Sequence, residues 1–380
     1  RLGPLANLLE CLQDWMLSID NKRITDVIYI DFKKAFDQVS HNKLLLKLNS
    51  YGITGDLYGW IKSFLSNRTQ AVKLDGCLSS VIAILSGVPQ GSVLGPILFV
   101  LFINDLVDCF KNLAVSTKLF ADDLKLYTSY GLTDCSCDLT EALNRVTVWA
   151  KKWQLTINST KCNVLRIVNP RCKNKSDIVY DLNGSSLKVL SVVKDLGVAV
   201  DKNLRFDNHI SLVVHKSLQR GNLILKCFQS RDRNLLMKAF KVYVRSLLEY
   251  ATPVWSPHFM YLILKIEHVQ RSFTKRLFGL KNLTYIDRLK QLEIDTLEHR
   301  RLIYDLCTCF KIIHGYNDTC IVMKKTNLER RPNNTRGHNL KLTKELCRTD
   351  ILRFYFCNRI CDVWNSLPID VVNAPSVNSF

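Results

Sequence analysis

Two adjacent aspartates, Asp122 and Asp123, lie between two short apolar segments and constrain the fold of this chain more than any other feature. The flanking residues 118–120 and 124–127 alternate, or nearly alternate, in hydrophobicity as β-strands do, which predicts a tight hairpin with the doublet at its turn. Two carboxylates held side by side away from water are costly unless a cation neutralises them. The doublet is therefore either a solvated turn or part of a cation site, and its partners decide between the two.

Length and charge indicate a folded protein with a polyanionic partner. The chain has 380 residues, of which 47% are hydrophobic, enough for two or three packed domains. Lys and Arg outnumber Asp and Glu by 53 to 34, which gives a formal net charge of +19 that is spread along the chain. A surface of this kind favours nucleic acid. A basic protein without such a partner has the same composition, so charge alone leaves both interpretations open.

The 14 cysteines are too irregularly spaced for a disulfide framework in a chain of this length, and no Cys-x-x-Cys pair begins a zinc site. We therefore expect reduced, mostly buried thiols in an intracellular protein of the cytoplasm and nucleus. The longest apolar segment, residues 93–103, is too short to span a bilayer, so no membrane partner is predicted. The chain begins without Met and ends abruptly at Phe380, which suggests a piece of a longer protein.

The pattern along the chain predicts mixed helices and strands, with longer basic helices in the second half. Residues 27–32 are β-branched and aromatic and include a carboxylate, Asp31, as the end of a central strand would. Asp75-Gly76 predicts a hairpin between residues 69–74 and 80–85. Asp31 and the aspartate doublet are expected on neighbouring strands. The predicted helices span residues 7–17, 41–48, 57–65, 97–106, 140–153, 209–228, 233–250, 261–278, 297–313 and 352–364.

The segment Ser86–Pro96 contains three glycines and two prolines in eleven residues and leads into an apolar helix. Glycine permits close backbone approach and proline restricts the path of the chain. The segment is therefore predicted to be a rigid loop that can cradle a planar or phosphorylated ligand.

Three segments together, residues 30–37, 87–96 and 120–123, resemble the palm motifs of reverse transcriptases from jockey-like non-LTR retrotransposons in order and spacing. The resemblance implies an α+β fold: a right-hand polymerase palm with partial fingers, a helical thumb and a helical C-terminal extension. The implied boundaries are 1–205 for palm and partial fingers, 206–290 for the thumb and 291–380 for the extension. The resemblance also implies that an endonuclease domain and part of the fingers are missing, so we expect weak or no polymerase activity from this piece alone.

The implied activity is RNA-directed DNA polymerisation, in which a primer 3′-hydroxyl attacks the α-phosphate of a nucleotide. Two metal ions about 4 Å apart can stabilise the entering and leaving oxygens, and Mg²⁺ prefers hard carboxylate ligands. The resemblance assigns Asp31, Asp122 and Asp123 to catalysis and to two Mg²⁺ ions, with Mn²⁺ as a substitute. The backbone carbonyl of Phe32 would complete one metal site. For Asp31 alone, a turn cap is the competing interpretation.

Four further residues receive roles from the resemblance. Phe36 would lie beneath the incoming sugar and exclude a 2′-hydroxyl, although ordinary core packing also explains an aromatic residue there. Gln90 and Gly91 would contact the incoming nucleotide and the template base. Lys161 would protonate the leaving pyrophosphate as a general acid, and a solvated lysine is the competing interpretation.

The expected partners are an RNA template, a DNA primer and deoxynucleoside triphosphates. Two rival functions have different requirements. An inactive or repurposed nucleic-acid-binding protein derived from such a polymerase would keep the charge but tolerate any residue at position 122. An RNA-templated RNA polymerase would share the doublet without needing a bulky residue at position 36. The intact carboxylates and Phe36 favour a DNA-synthesising enzyme.

Overall fold

The computed structural model describes residues 3–131, 137–169, 178–316 and 338–380, in which helices and short strands alternate. The helices are α1 (Pro4–Asp20), α2 (His41–Ser50), α3 (Gly55–Leu65), α4 (Leu94–Ile103), α5 (Cys137–Trp153), α6 (Asp207–Cys227), α7 (Arg233–Phe240), α8 (Ser246–Glu249), α9 (Thr252–Trp255), α10 (Met260–Lys275), α11 (Tyr285–Leu292), α12 (Leu297–Ile313), α13 (Asp350–Arg353), α14 (Phe356–Arg359), α15 (Cys361–Asn365) and α16 (Ile369–Val372). The strands are β1 (Ile24–Ile30), β2 (Thr69–Gln70), β3 (Lys73–Leu74), β4 (Cys77–Leu78), β5 (Ile82–Ala83), β6 (Ser116–Phe120), β7 (Asp123–Tyr130), β8 (Asn163–Ile167), β9 (Asp181–Leu182), β10 (Ser185–Ser186), β11 (Lys188–Leu190), β12 (Val192–Asp195) and β13 (Val198–Asp201).

The described residues fold into two compact units, which we call the sheet unit and the helical unit. The sheet unit contains described residues 23–166 and 178–191. The helical unit contains described residues 3–22, 167–169, 192–316 and 338–380. The unit boundary near residue 192 differs from the domain boundary predicted at 205, and α1 belongs to the helical unit. The division into palm, thumb and extension remains a prediction.

A five-stranded sheet in the order β11-β8-β1-β7-β6 forms the centre of the sheet unit. The central strand β1 is buried along almost its whole length, which explains why its sequence is nearly continuously apolar rather than alternating. It pairs antiparallel with β7, from Ile24 opposite Tyr130 to Ile30 opposite Leu124. One apolar cluster contains side chains from the sheet and from the helices α2, α4 and α5. The predicted α+β content is confirmed.

Most predicted elements are present with shifted ends. The aspartate hairpin, the hairpin at Asp75-Gly76 and the helix at residues 297–313 are confirmed. The helix predicted for residues 97–106 begins earlier, at Leu94, and continues as a 3-10 segment, Asn104–Phe110. The helix predicted for residues 352–364 is wrong as a single element, since α13, α14 and α15 are separate short helices. A loop predicted for residues 327–343 lies largely outside the described residues.

The helical unit is built on the packing of α6 against α10. Helix α10 is amphipathic: Ile266, Val269 and Phe273 are buried, whereas Arg271 and Lys275 are exposed. A π-helical segment, Lys241–Arg245, joins α7 to α8, so the helix predicted for residues 233–250 is continuous but irregular. No helix within the described ranges has the length and apolar content needed to cross a bilayer. The cysteines of these ranges that the structure characterises are free thiols, as predicted, but the prediction that most are buried is wrong, since only Cys11, Cys162, Cys309 and Cys361 are buried.

A buried carboxylate anchors β1 within the sheet unit. Asp26 is fully buried and accepts two hydrogen bonds from the guanidinium of Arg166, at 2.7 Å and 2.9 Å. The hydroxyls of Tyr130 and Tyr180 also donate to it, at 2.7 Å and 2.8 Å. Both oxygens of this carboxylate are therefore hydrogen-bonded, which is the condition under which a buried charge is tolerated in a sheet. The network connects β1 to β7 and β8.

We expect Asp26→Asn to lower the free energy of unfolding by about 3–5 kcal/mol, because it leaves the Arg166 charge without its partner. Urea unfolding of the variant and its parent measures this loss. Asp56→Asn, at an exposed position on α3, is the matched control and should change stability by about 0.5 kcal/mol or less. Equal losses in the two variants would contradict an anchoring role for Asp26.

Candidate active site

The end of β1 carries the first predicted catalytic residue, Asp31. Its backbone is held by the segment that precedes β8: the amide of Asn158 donates to the Asp31 carbonyl at 2.8 Å, and the Asp31 amide lies 3.4 Å from the thiol sulfur of Cys162. Sequence reasoning gave no role to Asn158 or Cys162. The only feature of the sequence that could have pointed to these two residues is that they lie within three positions of Lys161. The pairing fixes where the strand ends and therefore where the Asp31 carboxylate lies.

The aspartate doublet lies at the β6–β7 hairpin, as predicted, but only Asp122 is in the turn itself. Phe120 pairs with Asp123, so Ala121 and Asp122 are the two turn residues. Ala121 has a φ of 52°, a left-handed conformation that costs a residue with a Cβ about 1–2 kcal/mol. Asp122 is half-buried in this turn, whereas Asp123 begins β7 and is exposed.

The register of β1 and β7 brings Asp31 close to the aspartate doublet. Ile30 of β1 is opposite Leu124 of β7, so the next residue of β1, Asp31, lies beside the residue that precedes Leu124, which is Asp123. Asp122 is one residue further into the turn. The prediction that Asp31 and the doublet lie on neighbouring strands is confirmed.

The charge of Asp31 acts on the Asp122 carboxylate. Burial raises the pKa of Asp122, a hydrogen bond from its own backbone amide opposes this, and the charge of Asp31 raises the pKa further. Ionised Asp122 is thus destabilised in the fold, and a cation between the carboxylates would relieve both causes. The described residues contain no group of three or more His, Cys, Asp or Glu side chains arranged to hold a metal ion. The three aspartates therefore do not form a preassembled ligand set, although two of them interact.

Lys161 is close to Asp31. Its amine nitrogen lies 3.8 Å from an Asp31 carboxylate oxygen, and its side chain is 69% exposed. The structure therefore places the predicted general acid beside the predicted metal ligand. Its exposure is also what a solvated lysine would show, so the role remains a prediction.

The two predicted phenylalanines are packed against the core of the sheet unit. Phe32 is buried, pairs with Ile157 through an isolated antiparallel bridge and contacts the Trp149 ring edge-on. Phe36 is partly buried and stacks on Phe99 with 4.0 Å between ring centroids. The stacking fixes the orientation of the Phe36 ring, which both a sugar-sensing role and a packing role require.

The glycine-rich loop is bound along the segment that follows Asp31. The amide of Val88 donates to the carbonyl of Phe36 at 2.9 Å, and the amide of Gly87 donates to that of Val39 at 2.8 Å. Gly87 has a φ of 92°, and a Cβ there would lie 2.9 Å from the Asp37 backbone, so only glycine permits this approach. The loop is held close to this segment at Gly87, and its rigidity stays a prediction.

Gln90 and Gly91 lie at the exposed tip of this loop. The side-chain amide of Gln90 donates to the Asp37 carboxylate at 2.8 Å, so Asp37 orients the residue predicted to meet the nucleotide. Gly91 has a φ of 85° and open space around its α-carbon. Asp37 was expected to support structure rather than chemistry, and this contact is such a support.

Comparison with known proteins identifies the family. A family model described as reverse transcriptase (RNA-dependent DNA polymerase) matches residues 8–200, just over half of the chain. The chain belongs to the reverse transcriptase family. The matched residues include every predicted site residue of this reverse transcriptase chain.

Its relatives are encoded by mobile elements. The chain is 32% identical over 273 residues to the RNA-directed DNA polymerase from mobile element jockey of Drosophila funebris, a match that covers 69% of this chain and 29% of that relative. It is 30% identical over 252 residues to the probable RNA-directed DNA polymerase from transposon BS of Drosophila melanogaster, covering 63% and 26%. The predicted resemblance to jockey-like reverse transcriptases is confirmed. The matches span under a third of the length of these curated relatives.

Among solved structures, this reverse transcriptase chain is similar to apo telomerase from Candida Tropicalis, with 12% identity and a TM-score of 0.42, over 80% of this chain and 48% of that one.

We expect Asp31→Asn to lower the pKa of Asp122, because it removes the charge that opposes ionisation. The pKa should remain above its ordinary value, since burial is the larger cause. Carboxyl ¹³C chemical shifts of Asp122, followed between pH 2 and 8, measure the change. Asp108→Asn, at an exposed carboxylate of the sheet unit, should leave this titration unchanged. No difference between Asp31→Asn and the parent would contradict the coupling.

Proposed function

We propose that the chain is the polymerase part of a non-LTR retrotransposon reverse transcriptase, which extends a primer 3′-hydroxyl with deoxynucleotides on an RNA template. The observation that carries this proposal is the β1–β7 register, which brings Asp31 beside the Asp122-Asp123 turn within the residues that match the family model. In this proposal residues 1–205, which include the sheet unit, are the palm with part of the fingers. Residues 206–290 are the thumb, and residues 291–380 are an extension.

The donor atoms of the site suit a hard divalent cation. Asp31 and Asp122 offer carboxylate oxygens from neighbouring strands, and the burial of Asp122 together with the charge of Asp31 disfavours ionised Asp122 in the absence of positive charge. These two residues would hold Mg²⁺ or Mn²⁺, with Asp123 as a third carboxylate and the Phe32 carbonyl as a further ligand. When bound, the ions would neutralise charge on the reacting phosphate and lower the pKa of the primer hydroxyl.

The residues of the chain do the remaining work by positioning and proton transfer. Lys161 would donate a proton to the leaving pyrophosphate, and its position 3.8 Å from an Asp31 oxygen supports this role. Gln90, oriented by Asp37, and Gly91, whose backbone is open, would contact the nucleotide and the template base. The Phe36 ring, held by Phe99, would lie beneath the incoming sugar.

Charge supports a nucleic-acid substrate. The chain carries a formal net charge of +19. Helix α10 exposes Arg271 and Lys275 opposite its buried side chains, and Arg276, which follows the helix, is also exposed. Such a face can contact phosphates of a template–primer duplex without reading its sequence. The RNA template, the DNA primer and the deoxynucleoside triphosphates are the partners of this proposal.

We expect Asp122→Asn to lower primer extension on an RNA template with Mg²⁺ by about 10²-fold or more, because a metal ion contributes several kcal/mol of transition-state stabilisation. Gel analysis of the extended primer measures the rate. Asp108→Asn is the matched control and should keep the rate of the parent. Equal extension by Asp122→Asn and the parent would refute the two-metal assignment.

Binding of Mn²⁺, followed by electron paramagnetic resonance, provides a readout for the same variants that does not depend on turnover. The parent and Asp108→Asn should bind the ion, whereas Asp122→Asn should bind it more weakly. Unchanged affinity in Asp122→Asn would also argue against this metal site and would favour a nucleic-acid-binding role that tolerates substitution at position 122.

We expect Phe36→Val to raise the ratio of ribonucleotide to deoxynucleotide incorporation by tenfold or more, because removing the ring opens space for a 2′-hydroxyl. Competition assays with matched nucleotide pairs measure the ratio. Phe99→Leu removes the stacking partner but leaves the Phe36 ring, so it should change stability more than selectivity. An unchanged ratio in Phe36→Val would identify Phe36 as a core residue only.

A further inference from the structure

A cavity of about 450 Å³ opens beside the first turns of α12, in the helical unit. It is lined by α12, by the residues that follow α9 and by the end of α14. The polar side chains among its lining residues are Ser256, Thr296, Glu298, His299, Arg301, Asp305 and Arg359. The helix is 17 residues long, so the partial positive charge at its N-terminus acts on this space.

Arg301 is the feature of this cavity that the fold does not explain. It is only 3% exposed, and its Nη1 nitrogen is enclosed without a hydrogen-bond partner among the described residues. Buried arginines are normally paired, because an isolated charge away from water is costly. Burial lowers the pKa of Arg301, which shows that the charged form is not fully compensated despite nearby acidic residues.

Two of those acidic neighbours are already engaged. Asp305 accepts two hydrogen bonds from Arg359, both at 2.8 Å, in a bidentate ion pair. Glu267 accepts hydrogen bonds from the amide of Leu297 at 3.0 Å and from the Tyr285 hydroxyl. The remaining acidic residue, Glu298, lines the cavity and is exposed. Arg301 therefore retains hydrogen-bonding capacity towards an anion.

We propose that this cavity binds a phosphate group of a nucleotide or polynucleotide, with Arg301 as its principal donor. The planar guanidinium matches phosphate oxygens bidentately, and the helix N-terminus adds favourable potential. The cavity has room for more than a single phosphate, so a nucleotide or a segment of a polynucleotide can also enter it. The net charge of +19 favours a phosphate-bearing partner over an isolated carboxylate. This site is independent of the proposed polymerase centre.

Isothermal titration calorimetry at constant ionic strength tests the proposal on the full chain with three probes: inorganic phosphate, adenosine 5′-monophosphate and a 12-nucleotide oligonucleotide without terminal phosphates. We expect Arg301→Gln to weaken the binding of at least one probe by about tenfold or more, because the variant loses a charge-assisted bidentate contact. Loss confined to the oligonucleotide identifies backbone phosphate as the ligand, and loss confined to the other probes identifies a free phosphate or nucleotide. Equal binding by Arg301→Gln and the parent, or no binding of any probe by the parent, would overturn the proposal.

Two variants serve as controls of opposite kinds. Glu298→Gln removes the acidic side chain of the cavity and should tighten binding, whereas Lys290→Gln removes an exposed positive charge on α11 outside the cavity and should change it less than twofold. Weakening by Lys290→Gln equal to that of Arg301→Gln would show non-specific attraction and count against the site.

Stability separates a binding role from a structural one. In phosphate-free buffer, Arg301→Met should unfold at a higher temperature than the parent, because it replaces an unpartnered buried charge with an apolar side chain. A lower unfolding temperature would show that Arg301 stabilises the fold through its acidic neighbours, and the phosphate proposal would fail.

Discussion

The antiparallel pairing of β1 with β7 is the constraint on which the candidate active site depends. Moving the register by one residue would turn every side chain of β7 to the opposite face relative to β1, and Asp123 would no longer lie directly beside Asp31. The buried Asp26–Arg166 pair, with its two tyrosine donors, stabilises this arrangement from within the sheet. A charge that the core could not otherwise tolerate thus anchors the strand that carries the first candidate ligand.

Hydrogen bonds, an ion pair and ring stacking from neighbouring segments hold the other candidate site residues in position. The segment before β8 fixes the Asp31 backbone and brings Lys161 near it, while the glycine-rich loop is hydrogen-bonded to the residues after Asp31. Phe99 orients Phe36, and Asp37 orients Gln90. The candidate groups are therefore supported by neighbours that perform no chemistry themselves, as preorganisation requires. The like charges of Asp31 and Asp122 repel each other in this arrangement. A cation bound between the two carboxylates would replace this repulsion with attraction.

Much of the sheet unit was predictable because its signals are local. The apolar strand ending in Asp31, the hairpin at the doublet and the glycines of the loop each follow from a few consecutive residues. Predictions were weaker where long-range packing decides the structure. The segment at residues 350–365 has helical periodicity but forms three short helices, and α1 belongs to the helical unit although it precedes β1. The Asp37–Gln90 contact joins residues 53 positions apart, so no local pattern indicated it.

By itself, the sequence determined the carboxylates, the turn that carries two of them and the family to which the chain belongs, because these depend on residue identity and short spacing. Tertiary structure alone decided that Asp122 is half-buried and feels the charge of Asp31, since a pKa depends on burial and through-space distance. It also left Arg301 enclosed beside a cavity without a partner for its Nη1 among the described residues. In sequence Arg301 is one of 53 basic residues. Its distinction arises because burial encloses most of its side chain, while two of the nearby carboxylates, Glu267 and Asp305, hydrogen-bond to other groups.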